Sequence, residues 1–150
     1  MKKNVLILFC FFVSLYGFSQ ANTLIGKWKV TSVNTDEVYY NAKTDSISLK
    51  TEELKEAFKD KTEIKSFIDL LKKTYTNDRF DFDGKGVLSR TSDIAGTEKF
   101  RYKNDTKRKI IIIKNLSDDV INDEMPYEFK DGKLYLSKSL DVLFLLEKEK

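Results

Sequence analysis

The chain has 150 residues, of which 27 are lysine or arginine and 24 are aspartate or glutamate, giving a formal charge of +3. It holds no histidine and a single cysteine, Cys10. Zinc and most transition-metal sites therefore lack ligands, and serine–histidine and cysteine–histidine catalysis are excluded.

Residues 1–19 read as an export signal. Lys2 and Lys3 form a basic start, Val5 to Leu15 an apolar run, and Gly17-Phe18-Ser19 a small-residue cleavage motif before Gln20. The run is short for a membrane span, and Cys10 lies too deep in it for lipid attachment. The mature chain, residues 20–150, then contains no cysteine and relies on its core alone. Without Lys2 and Lys3, 25 basic groups face 24 acidic ones. Such a nearly neutral, exported (periplasmic or secreted) domain has no bulk attraction to nucleic acid and no stable membrane insertion.

The first element is the alternating run Leu24 to Asn34, with the only tryptophan, Trp28, two residues after Gly26. Alternation sets Trp28, Val30 and Ser32 on one face and Lys27, Lys29 and Thr31 on the other. Glu37 to Asn41 reads as a short strand followed by a turn at Lys43 to Ser46. The period then changes. Leu54, Ala57, Phe58, Ile64, Phe67, Ile68, Leu71 and Tyr75 recur at helical steps, giving a helical insertion over about 51–75. Thr51 suits its N-cap, and the stripe turns polar at Lys61, so the insertion reads as one helix or as two broken near Asp60 to Thr62, with either residue a cap for the second.

From Arg79 the period is two. Arg79 to Phe82 and Val87 to Arg90 flank Asp83-Gly84-Lys85-Gly86; Glu98 to Lys103 and Lys109 to Lys114 flank Asn104 to Thr106. Met125 to Lys130 and Lys133 to Ser137 are joined by Asp131-Gly132, which pairs Lys130 with Lys133, Phe129 with Leu134 and Tyr127 with Leu136. Leu140 to Glu147 forms the last strand.

About eight strands joined by tight turns describe an all-β, antiparallel up-and-down barrel, with the helical insertion between its first and second strands. Gly26-x-Trp28 at the opening of such a meander resembles the lipocalin signature, and the pattern is similar to small bacterial exported lipocalin-like proteins. The resemblance implies that Trp28 plugs one barrel end and that the barrel binds a small hydrophobic ligand. Lipocalins pack an arginine over this tryptophan from the last strand; here the corresponding residue is Lys148.

The interior candidates are Trp28, Phe80, Phe82, Phe100, Tyr102, Tyr127, Phe129 and Phe144, which read either as a packed core or as a cavity lining. A two-residue loop at Asp83–Gly86 places Val87 and Ser89 inside; a bulged one places Leu88 and Arg90 inside, where Arg90 would meet the carboxylate of a fatty-acid-like ligand. Other chemistry finds little footing. Asp81-Phe82-Asp83-Gly84 fails as a calcium loop because Arg79 and Arg90 occupy its two end positions. The bases around Phe100 and Tyr102 are the outward face of an alternating strand. No cofactor is implied. The expected function is non-enzymatic binding of a small apolar or amphipathic molecule, with a packed domain binding a protein partner as the alternative. Ile110 to Ile113 and Leu143 to Leu146 are apolar on both faces, so the helical stripe is expected to cover their outer side, or else to lid the mouth or form a dimer.

Overall fold

In the computed structural model, which describes residues 23–75, 77–139 and 141–150, the strands form one closed barrel with a side hairpin. The export signal at residues 1–19 lies outside the described residues. The elements are β1 (Gly26–Thr35), β2 (Val38–Asn41), β3 (Ser46–Leu49), α1 (Glu52–Ala57), α2 (Lys61–Tyr75), β4 (Arg79–Phe82), β5 (Val87–Ser92), β6 (Gly96–Asp105), β7 (Ile110–Lys114), β8 (Ile121–Lys130), β9 (Lys133–Ser139) and β10 (Val142–Lys148). Antiparallel neighbours run from β4 to β10, and β1 pairs with both β4 and β10, closing an eight-stranded ring.

The ring is organised by β1, whose one edge is shared between two partners. Gly26 to Lys29 pair with β4, while Ser32 to Asn34 pair with β2. At the split the Asp78 carbonyl accepts from Val30 N–H at 3.0 Å, carrying the ladder one step further. The β2–β3 hairpin leaves the barrel at this point, and the helices return the chain to the same edge. The insertion thus begins with a hairpin, and the helices follow β3, not the first strand directly.

Along its other edge β1 carries a bulge. Its pairing with β10 shifts between Val30 and Ser32, so Val33, and not Ser32, faces the interior opposite Phe144. A bulge exchanges the two faces of the strand beyond it, which is why strict alternation misplaces Ser32.

The turns follow their chemistry. Asp131 and Gly132 both have positive φ (53° and 72°), as a type I′ turn requires, and the register Lys130–Lys133, Phe129–Leu134, Tyr127–Leu136 results. At Asp83–Gly86 the loop is bulged: Asp83 Oδ1 accepts from Lys85 and Val87 N–H, and Gly86 adopts φ 85°. Phe82 then pairs with Leu88 and Phe80 with Arg90, so Leu88 and Arg90 face inward.

Thr51 caps α1, accepting from Leu54 N–H, and Asp60 Oδ1 accepts from Thr62 N–H at the start of α2. The helical stripe does not lie along the outer wall over β7 and β10. The α2 ring that reaches the barrel is Tyr75, which meets the inward-facing Phe144 (ring centroids 5.9 Å apart) and packs on the core. Lys72 ties the same end of α2 to Asp45 in the β2–β3 turn at 2.6 Å. The helix engages the barrel from its end because the chain re-enters the ring there, three residues later, at Asp78. Ile110, Ile112, Leu143 and Leu145 stay half-buried on the wall.

Candidate functional site

The barrel has two unlike ends. At the end where β1 begins, Trp28 is 1% exposed and its Nε1 donates to the Leu24 carbonyl at 2.8 Å. Phe129 tilts against Trp28 (5.9 Å) and Tyr127 against Phe129 (5.6 Å), while Tyr102 meets Phe82 edge-on at 5.1 Å. The phenols leave this layer for partners: Tyr102 donates to the Asp83 carbonyl at 2.6 Å and Tyr127 to Asn104 at 2.8 Å. Burial raises the Tyr102 phenol above its ordinary pKa, so it remains a donor at neutral pH. Lys148 Nζ stands 5.5 Å from the Trp28 ring centre, a cation–π contact at the position expected from the sequence. This end is packed shut.

Gly26 makes that seal possible. Its φ is 127°, and a Cβ there would stand 2.7 Å from Lys148 Cε. We expect Gly26→Ala to cost about 1–3 kcal/mol through backbone strain and to displace Lys148 from the indole. A thermal melt measures the first effect and Trp28 emission the second.

The opposite end is open. A cavity of about 390 Å³ enters the barrel between residues of β4, β5, β6, β7, β8 and β9. Its apolar lining is Phe80, Leu88, Phe100, Ile113 and Met125; its polar lining is Arg90, Glu98, Asn115, Asn122, Asp123 and Lys138. Of the interior residues expected from the sequence, Phe80, Arg90 and Phe100 line this cavity. Trp28, Phe82, Tyr102, Tyr127 and Phe129 belong to the closed end, and Phe144 is buried between Phe80 and Tyr75. Those six are core and do not line the cavity. Glu98, Asp123 and Lys138 were missed, although each lies two residues beyond an inward-facing Phe100, Met125 or Leu136, so extending the alternation would have found them.

Arg90 already has a counterion. Its Nη2 lies 3.0 Å from Oδ2 of Asp78, whose side chain is fully buried. Its guanidinium carbon also stands 5.7 Å from the Phe80 ring centre. Burial pushes the Asp78 carboxyl above the usual carboxylate range, with Arg90 pulling it back. The expectation that Arg90 needs a ligand carboxylate is therefore corrected: the fold supplies one, from the residue at which β4 parts from β1. One donor and one acceptor of the pair, Arg90 Nε and Asp78 Oδ1, are buried without partners.

The β7–β8 loop that carries Asn115 is held by Asp119, which accepts from Lys114 at 2.8 Å and stands 3.6 Å from Arg101. Lys114 and Arg101 face one another directly across β6 and β7; the carboxylate between them offsets a like-charge pair, and Lys114 holds it below its ordinary pKa. A larger but more open depression, of about 510 Å³, lies outside the barrel along Phe58, Phe67 and Leu70 of the helical segment.

Among the described residues no helix is long and apolar enough to cross a membrane. No protein-family profile and no curated protein matches the chain. Among solved structures it is similar to a DUF4847 family protein from Bacteroides vulgatus ATCC 8482, at 13% identity and a TM-score of 0.54, over 83% of this chain and 94% of that one. At that identity the likeness concerns the fold: a small antiparallel barrel protein.

Proposed function

We propose that this chain is an exported, non-enzymatic binding protein of lipocalin-like type, which holds a small amphipathic molecule in the open end of its barrel. The observation that carries the reading is the division of the interior. Bulky rings fill one end, while the other keeps a cavity of about 390 Å³ with an apolar floor and a charged rim. That size falls within the range of about 300–1,000 Å³ typical of small-molecule pockets, and a lining that mixes apolar with polar and charged side chains suits a molecule that is itself amphipathic. A closed barrel also holds such a pocket rigidly, which lowers the ordering cost of binding.

The test is native mass spectrometry of protein purified from its own source, followed by titration with an environment-sensitive fluorescent lipid. We expect a co-purified or titratable ligand at one per chain. Asn115→Trp, which fills the entrance from a half-exposed position, should weaken binding by about tenfold or more, equivalent to about 1.4 kcal/mol, with an unchanged melt. Saturable binding that ignores this substitution would place the ligand elsewhere.

A further inference from the structure

The charges at the open end are arranged, and their arrangement bears on the ligand's head group. Going round the rim, β5 contributes Arg90, β6 Glu98, β8 Asp123 and β9 Lys138. Arg90 and Glu98 sit directly opposite each other in the β5–β6 register, and Asp123 is opposite the inward-facing Ile113. In the order of the strands the two carboxylates, on β6 and β8, thus lie between the two cations, on β5 and β9. Glu98, Asp123 and Lys138 form no direct ion pair among the described residues; Lys138 acts on Asp78 only at longer range, helping to hold its carboxyl down, and Glu98 neighbours Arg90 across the two strands.

Resting on the binding reading above, we propose that this cavity is selective for amphiphiles whose head group is zwitterionic, and that it discriminates against simple fatty-acid-like anions. A lone carboxylate would approach Arg90 beside the fully buried Asp78, whose negative charge opposes it in a partly desolvated site. It would also come beside Glu98, the cross-strand neighbour of Arg90. A lone cation meets the converse obstacle in Arg90 and Lys138. A head group carrying both charges satisfies the two sides at once. Its anionic part meets Lys138 and the unspent donors of Arg90, which gives one N–H to Asp78 and keeps Nε buried without a partner. Its cationic part lies between Glu98 and Asp123, and its apolar chain descends onto Leu88, Phe100 and Met125. The cavity lies at the small end of the usual range, so a short chain fits it better than a long one.

Decylphosphocholine, decanoate and decyltrimethylammonium share one chain length and differ in head-group charge. Titrated below their micellar concentrations by calorimetry, the phosphocholine should bind at least about tenfold tighter than either ion, a margin of about 1.4 kcal/mol. Asp123→Asn should narrow the gap to decanoate, and Lys138→Ala the gap to decyltrimethylammonium, while both variants melt as wild type. Decanoate binding as tightly as the phosphocholine, or equal affinity for all three, would overturn the head-group assignment and leave the binding reading standing. No heat with any of the three would overturn both.

Discussion

Trp28→Ala is expected to lower the stability of the fold by about 3–5 kcal/mol, the range for deleting a large buried aromatic. Three contacts set this value: the Nε1 bond to the Leu24 carbonyl, the tilted face of Phe129, and the Lys148 ammonium over the ring. In a domain of this size such a loss moves the melting temperature by roughly 10–20 °C. Trp28→Phe keeps most of the apolar contact but orphans the Leu24 carbonyl, and should cost about 1–3 kcal/mol. Because Trp28 seals the closed end and the cavity opens at the other, ligand affinity of the folded fraction should stay unchanged. A melt that moves by a degree or two would show that the ring is not the plug of the barrel.

The second large effect is expected at the Asp78–Arg90 pair. Arg90→Met strands a fully buried carboxylate and should cost about 3–5 kcal/mol. Asp78→Asn removes the charge that needs burial compensation and leaves an arginine whose side chain is 22% exposed, so its cost should be smaller. The double variant should recover much of the Arg90→Met loss, giving a coupling of about 1–3 kcal/mol in urea-unfolding midpoints. Independent, additive losses would show that the pair is not coupled.

The pair also has a pH signature whose sign follows from the shift. The Asp78 carboxyl titrates above its ordinary value, so the folded state takes up this proton before the unfolded chain does. The group's contribution to stability therefore improves as pH falls through its raised pKa and worsens as pH rises. Removing Arg90 raises that pKa further, so the Arg90→Met penalty should shrink as the buffer is made more acidic. A penalty that is constant with pH would assign the loss to packing against Phe80 instead.

Much of the barrel was legible because its information is local. Asp131-Gly132 announces a turn needing two positive φ angles, and the whole β8–β9 register follows from it. Period-two runs marked β4 to β10, and Thr51 marked the start of the helical insertion, while the polar step near Asp60 left one helix or two open and the structure has two. The charged rim was half legible: Arg90 was tied to one of two registers at Asp83–Gly86, and Glu98, Asp123 and Lys138 lay one alternation step past residues already placed inside.

What the sequence determined by itself, then, is the set of strands, the tight turns and the inward identity of Trp28, Phe80, Phe82 and their neighbours. All of these follow from steric and hydrophobic preferences acting within a few residues. Only the tertiary structure decided which end of the barrel is filled, since counting rings does not say where they meet. It alone also decided that Val33 replaces Ser32 inside β1, that β4 and β2 divide one edge of that strand, and that Tyr75 brings α2 to the barrel's end. The Asp78–Arg90 contact belongs to the same group. Each depends on how the closed ring and its insertion fit together, through contacts between residues that no local pattern relates: the split of β1 places Asp78 inside the barrel, and the bulged turn then aims Arg90 at it.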